Sequence, residues 1–159
     1  MLKGRNIVLR LLQDSDLDFL ADIENNKENW KFGSEKKQYS KQELLDYIAN
    51  AKTEISLAKQ YRFVIDLKST PIGFIDLFNY TRRSAEVGVI IAKDYRGKGF
   101  ATDALNLLTD YAFLVLGINQ LYASVTKDNL ESIKLFTSCR FDLQREKTDL
   151  LHFIKLAKK

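Results

Sequence analysis

The chain has 159 residues, of which 45% are apolar and 29% charged, and 25 Lys and Arg against 21 Asp and Glu give a formal charge of +4. That length and apolar share suit one domain, residues 1–159, with a sizeable core. One Pro and seven Gly exclude collagen-like and Pro-rich disordered classes, and the apolar stretches are too short to span a bilayer, so no membrane contact is expected.

The first six residues, Met1-Leu2-Lys3-Gly4-Arg5-Asn6, lack the long apolar region and small-residue cleavage site of a secretory signal, which predicts a cytoplasmic protein. Residues 7–12 follow as a strand pattern, and Asp14 or Ser15 then caps a helix carrying Leu17, Leu20, Ala21 and Ile23 on one face. Residues 25–38 are polar apart from Trp30 and Phe32, and docking onto the core is the expected fate of the single Trp. Ser40 with Glu43 three residues later has capping-box spacing and predicts a second helix to about Lys52.

Residues 61–67 and 72–80 flank Lys68-Ser69-Thr70-Pro71 and read as an antiparallel pair around a turn. A third run, residues 85–91, follows the polar turn 81–84 and extends the pair into a meander. The period then becomes helical: Ala101, Ala104, Leu105, Leu108, Tyr111, Ala112 and Val115 share a face, and Gly117 stands where a left-handed terminator belongs. Residues 121–126 form the next strand, so strand 85–91, this helix and strand 121–126 make a β-α-β unit with parallel outer strands. A short helix over 130–138 carries Ile133, Leu135 and Phe136, and residues 141–156 close the chain as two strands around Lys147-Thr148-Asp149.

A single cysteine, Cys139, excludes an internal disulfide, and a single histidine, His152, excludes a Cys/His metal cluster, so no metal is expected. His152 lies in the strand pattern Leu150-Leu151-His152-Phe153-Ile154, which argues against Ser-His-Asp or Cys-His nucleophile schemes. Acidic and basic residues are interspersed, so no uniform basic face for nucleic acid is visible, and a small anionic ligand suits the modest positive excess.

The informative segment is Tyr95-Arg96-Gly97-Lys98-Gly99-Phe100-Ala101-Thr102, between a strand and the first turn of the long helix. A helix start exposes unpaired N–H groups and a partial positive charge, and glycine lets a loop converge further N–H groups on one anion. Arg96 and Lys98 add full charges that would oppose the helix dipole unless an anion bound there. A P-loop fits badly, because Gly99 rather than Ser or Thr follows Lys98, and so does a dinucleotide fingerprint, which would open an all-parallel sheet instead of following a meander. A pyrophosphate cradle remains, with an ordinary glycine-rich turn as its structural alternative.

Here the sequence resembles the GNAT superfamily of acetyl-coenzyme A dependent N-acetyltransferases. Arg96-Gly97-Lys98-Gly99-Phe100-Ala101 satisfies that superfamily's R/Q-x-x-G-x-G/A signature, and the order of elements matches over residues 7–156. Arg83-Ser84-Ala85-Glu86-Val87-Gly88, the Tyr111-Ala112-Phe113 run, and Asn129 ahead of Ile133 and Phe141 are similar to the branch of ribosomal-protein N-terminal and spermidine acetyltransferases. The resemblance implies an α/β (α+β) GNAT fold: a mixed, mostly antiparallel sheet with helices on both faces, splayed between strands 85–91 and 121–126. Gly88 is the position where an irregularity would open that splay.

It further implies that the backbone amides of Arg96, Gly97, Lys98, Gly99, Phe100, Ala101 and Thr102 hold the pyrophosphate of acetyl-CoA. The backbone of Val89, Ile90 and Ile91 would pair with the pantetheine arm, and Asn129 would hydrogen-bond the coenzyme, cap the helix from Leu130, or do both. The reaction implied is direct acetyl transfer to a primary amine, on a protein N-terminus or a small molecule, without a covalent enzyme intermediate. Glu86 is the candidate base, acting through a water, or else a structural ion-pair partner of Arg82 or Arg83; a Val89 N–H would stabilise the oxyanion.

Spermidine-type relatives use a tyrosine as acid where this chain has Phe136, which borders the coenzyme but has no proton to donate; Ser132, matching a serine that ribosomal-protein type relatives place near the coenzyme sulfur, is the implied substitute, the alternative being that the thiolate leaves without an acid. Cys139 is expected to be a packed or half-exposed thiol, and Arg140 stands where the family has a glycine, at odds with a left-handed turn. A polyamine acetyltransferase and a non-catalytic acyl-CoA-binding sensor are the alternative functions. Residues 25–38 and their approach, with Lys27, Lys31, Lys36 and Lys37 against Glu24, Glu28 and Glu35, argue against a polyamine. A homodimer is the assembly expected, such dimers being the commonest oligomers.

Overall fold

In the computed structural model residues 1–32 and 37–158 are described, leaving aside the side chains of residues 30–32. The docking of Trp30, and the setting of Lys31, Glu35 and Lys36, lie outside the described residues. The strands are β1 (Leu2–Lys3), β2 (Val8–Leu11), β3 (Tyr61–Leu67), β4 (Thr70–Phe78), β5 (Ser84–Ile91), β6 (Gln120–Thr126), β7 (Asp142–Glu146) and β8 (Leu150–Leu156). They form one sheet in the order β1-β2-β3-β4-β5-β6-β8-β7, antiparallel throughout except for the parallel pair β5 and β6. Both the meander and the parallel outer strands are as the sequence predicts.

The helices are α1 (Leu17–Glu24), α2 (Lys41–Ala49), α3 (Ile55–Ala58), α4 (Phe100–Asp110) and α5 (Leu130–Ser138). Successive strand residues point to opposite faces, so adjacent Phe74 and Ile75 of β4 are both fully buried, under different layers. Leu20, Ile23, Leu44 and Ile48 of α1 and α2 cover Val64 and Phe74. On the other face Ala104, Leu105 and Leu108 of α4 and Phe136 of α5 pack with Ile65, Ile75, Leu77 and Val87. Arg10 of β2 ties the first layer down, donating to Asp16 and Asp66 at 2.8 Å. Burial alone would raise the Asp16 carboxyl, but Arg10 and the Gln13 N–H outweigh it and hold the group below its ordinary 3.8.

Local chemistry sets the boundaries. Both legs of the Ser40 and Glu43 capping box are formed, each at 3.2 Å. Helix α2 stops short of Lys52 because Asn50 closes it, its side-chain amide donating to the Asp46 carbonyl at 2.9 Å. Lys68 and Ser69, with φ of 48° and 72°, make a two-residue hairpin turn, so Thr70 and Pro71 open β4 instead of belonging to the turn. Pro71 sits where the β3–β4 register shifts, a place that tolerates its missing N–H.

Past Asp110 the long helix widens into a π turn at Tyr111–Val115, with the Leu116 N–H bonded to the Tyr111 carbonyl at 3.0 Å. The extra residue in that turn rotates the end of the apolar face, and Val115, expected inside, is 70% exposed. Gly117, at φ 72°, terminates the helix as predicted.

Arg140 does adopt the left-handed conformation, at φ 66°. The Phe141 N–H bonds the Phe136 carbonyl and the Arg140 N–H bonds the Thr137 carbonyl, the two bonds of a Schellman closure, while the rings of Phe136 and Phe141 pack edge to face at 5.1 Å. The strain of a left-handed Arg, about 1–2 kcal/mol, is offset by burying Phe141, at about 1.5–3 kcal/mol. An Arg140→Gly variant is therefore expected to melt about 2–4 °C higher, equivalent to roughly 1 kcal/mol, in a thermal scan. A fall in melting temperature would refute that balance of terms. Cys139 is buried beside this closure, and burial pushes its thiol up, as expected of a packed cysteine.

Candidate active site

Strands β5 and β6 pair only from Ser84 to Glu86, opposite Gln120 to Tyr122, and then part, while β5 keeps pairing with β4 as far as Ile91. The predicted splay is present, but without an irregularity at Gly88. The β4–β5 register runs unbroken through Gly88 and Asp76, and a Cβ on Gly88 would make only an ordinary 3.5 Å contact with Phe78. The glycine keeps the floor beside Asp76 low instead of bending the strand.

The phase of β5 follows from two bonds. The Ala92 N–H donates to the Ile72 carbonyl on the β4 side, and the Arg83 carbonyl accepts from Gln120 on the β6 side. Alternation then turns the peptide groups of Gly88 and Ile90 toward β4 and those of Val87, Val89 and Ile91 toward the gap. The expectation for residues 89–91 needs correcting accordingly. Ile90 has its backbone committed to β4, and the Ile91 carbonyl accepts from Arg96 Nε at 2.8 Å. Val89 alone offers both a donor and an acceptor to the opening.

At the far end of β5, Gly97 and Gly99 have φ of 74° and 85°, and Gly99 is the N-cap of α4. Among the described residues the N–H groups from Gly97 to Thr102 have no acceptor, and Gly97, Lys98 and Gly99 are exposed, whereas the Arg96 N–H, expected to join them, is instead bonded to the Lys93 carbonyl at 3.3 Å and leaves the set. A row of free N–H groups at a helix start is suited to an anion the size of a diphosphate. The two cations differ from expectation. Lys98 lies over the Tyr95 ring at 5.9 Å on the surface, whereas Arg96 turns inward to Ile91 and to Asn29 Oδ1, at 3.1 Å. Two strong acceptors in the interior hold the guanidinium more favourably than an open loop would.

The gap leads into a cavity of about 520 Å³. Glu86, Ser132, Asn129, Phe136, Val89 and Ile90 all border it, so the structure brings these sequence candidates together. Half-buried Glu86 accepts from Asn79 Nδ2 at 3.1 Å, and among the described residues it forms no ion pair with Arg82 or Arg83. Asn129 caps α5 by accepting from the Ser132 N–H at 3.2 Å, which leaves its side-chain N–H groups without an acceptor among the described residues. Phe136 is a core residue, 3% exposed and stacked on Phe153, that also borders the cavity. A second hollow of about 570 Å³ shares Glu86 and Ser124 with the first and is bordered by His152, whose Nδ1 meets Ser124 Oγ at 3.0 Å.

The sequence reading missed the opposite wall. Arg62 donates to both carboxylate oxygens of Asp76, at 2.9 and 2.8 Å, pairs with Glu24, and lies over the rings of Tyr47 and Phe74. Burial alone would make the guanidinium easier to deprotonate, but Asp76, Tyr47 and Glu24 outweigh it and keep Arg62 charged. Burial pushes Tyr47 up to about 12. A signal existed: Arg62 and Asp76 alternate with Val64 and Phe74 on core-facing positions, where a charge calls for a partner.

The model of the GNAT acetyltransferase domain matches residues 6–142. The chain belongs to the GNAT acetyltransferase family and is an acetyl-CoA dependent N-acetyltransferase. It is 33% identical over 138 residues to the spermidine N(1)-acetyltransferase of Vibrio cholerae, covering 85% of this chain and 78% of that protein. It is 30% identical over 148 residues to that of Escherichia coli K12, covering 92% and 78%. The crystal structure of spermidine N-acetyltransferase from Vibrio cholerae in complex with CoA and spermine superposes with a TM-score of 0.82 at 28% identity, covering 95% of each chain. Among the described residues no helix is long and apolar enough to cross a membrane, and no group of His, Cys, Asp and Glu could hold a metal ion.

Proposed function

We propose that this enzyme acetylates a primary amine of an aliphatic polyamine. The observation that carries this reading is the charge of the cavity: among its described bordering residues Glu24, Asp76 and Glu86 face a single cation, Arg62. A polycationic acceptor supplies the missing positive charge, and a protein N-terminus supplies less of it. Glu24, counted in the sequence with the approach to the polar segment, belongs instead to this wall. The kinship with two spermidine N(1)-acetyltransferases supports the same acceptor class.

Acetyl-CoA supplies an activated acetyl thioester. The N–H groups of residues 97–102 hold its diphosphate, Val89 pairs with the pantetheine arm, and the Asn129 amide donates from the opposite wall. A polyamine nitrogen titrates near ~10, so it must lose a proton before attack at neutral pH. Glu86 takes that proton through a water, the Val89 N–H stabilises the carbonyl oxygen as the C–N bond forms, and Ser132 Oγ–H faces the departing thiolate. We further take residues 1–159 as one acetyltransferase domain, acting in the cytoplasm as a homodimer, the commonest closed assembly.

The test is thiol release from acetyl-CoA across polyamines, amino acids, antibiotics and N-terminal peptides. Spermidine or spermine should exceed every peptide at least tenfold in kcat/KM, and the advantage should shrink as salt screens the cavity. A peptide preference would overturn the acceptor assignment. For the base, Glu86→Gln is expected to lose about 10²-fold in kcat at pH 7 while still binding CoA, with part of the loss recovered as rising pH deprotonates the amine. A uniform loss at every pH would assign Glu86 another role.

A further inference from the structure

We propose that Asn29 is a positioning residue that couples occupancy of the coenzyme cradle to order on the acceptor side of the cavity. The inference rests on the reading of residues 97–102 as that cradle. Asn29 lies in the 3-10 turn Lys27–Phe32, is 9% exposed, and has its side-chain amide bonded at both ends. Its Oδ1 accepts from Arg96 Nη2 at 3.1 Å, and its Nδ2 donates to the Ile23 carbonyl at 3.2 Å. Arg96 in turn donates Nε to the Ile91 carbonyl at 2.8 Å, the last carbonyl of β5 that faces the gap. Beside Ile23 stands Glu24, whose carboxylate pairs with Arg62 in the cavity.

One buried amide thus joins the loop before α4 to the last turn of α1, and Arg96 carries the link on to the gap edge of β5. Arg96 immediately precedes the N–H groups that would face the diphosphate. Fixing that loop on an anion fixes the Arg96 backbone, and a settled guanidinium holds Asn29 and its turn in place. Withdrawal of Arg96 takes a partner from the Asn29 Oδ1 and the Ile91 carbonyl together, which couples their order instead of leaving them independent. By linkage the influence is reciprocal: an acceptor that settles the end of α1 also favours the loaded cradle.

The experiment is amide hydrogen exchange of residues 25–32, with and without CoA, in the wild type, Asn29→Ala and Asn29→Asp. Calorimetric CoA affinity is measured alongside. In the wild type CoA should slow exchange in this segment at least about fivefold, the lower end of ordinary coupling factors. Asn29→Ala should bind CoA within about threefold of the wild type yet show less than a twofold change in the segment. Asn29→Asp keeps an oxygen for Arg96 but cannot donate to the Ile23 carbonyl, so it should restore the slowing in residues 27–32 and not at Asn25 and Asn26 beside the end of α1, a split that general destabilisation would not produce. Wild-type protein that binds CoA without slowing these amides overturns the coupling whatever the variants do, and so does Asn29→Ala that is slowed like the wild type. Failure of the wild type to bind CoA overturns the cradle reading itself, and the coupling with it.

Discussion

A Gly99→Val variant is expected to lose at least a hundredfold in kcat/KM for acetyl-CoA while keeping its fold. Gly99 has φ of 85°, and a Cβ there would meet no atom within 4 Å beyond its chain neighbours. Packing is therefore untouched, and the stability cost is the strain of a branched residue in the left-handed region, about 1–2 kcal/mol. That lowers the melting temperature by about 2–8 °C. The functional cost is larger, because relaxing that strain re-aims the N–H groups on either side of Gly99. Hydrogen bonds to a charged group contribute about 1.5–3 kcal/mol each, so misplacing two of them removes roughly 10²–10⁴-fold in affinity. Calorimetry with CoA and thiol release measure the two quantities separately. Undiminished CoA affinity in a folded variant would remove the cradle.

Replacing Asp76 by alanine should strike fold and acceptor binding together. Arg62 would lose its bidentate partner in a place where its side chain is only 18% exposed. Breaking a buried pair costs about 3–5 kcal/mol. Glu24 remains beside the guanidinium, which places the expectation at the lower end and the fall in melting temperature at about 6–12 °C. The cavity also loses one of its three carboxylates, so KM for a polyamine should rise about tenfold, with a smaller effect on kcat. A melting temperature within 2 °C of the wild type and an unchanged KM would show that the Arg62 cluster neither supports the fold nor recruits the acceptor.

What the sequence revealed and what it hid divide along contact distance. The glycine loop with its free N–H groups was legible because those groups are consecutive, and Gly97, Gly99 and the start of an amphipathic helix are all visible within eight residues. The meander and the parallel pair were legible because period and turn residues repeat along β3, β4 and β5. The Arg62 wall was hidden because its bonds join residues 14 and 38 positions apart, and the Arg96–Asn29 bond spans 67. No local pattern announces such partners. The two-residue β1 and four-residue α3 are too short for any period to register. Arg140 shows the opposite error: its backbone preference was weighed alone, while the phenylalanines on either side of the turn decided the conformation.

Between the two halves of the sheet the weld is only three residues long on each strand, from Ser84 to Glu86 and from Gln120 to Tyr122. Beyond it β6, with β8 and β7 behind, is a flap whose inner edge has no strand beside it. Such a seam is where breathing motions begin, since few ladder bonds must break before it opens. A molecule paired along Val89, as proposed for the pantetheine arm, would rivet the flap shut and serve as the missing strand, and the enzyme without it would be the more easily pried apart.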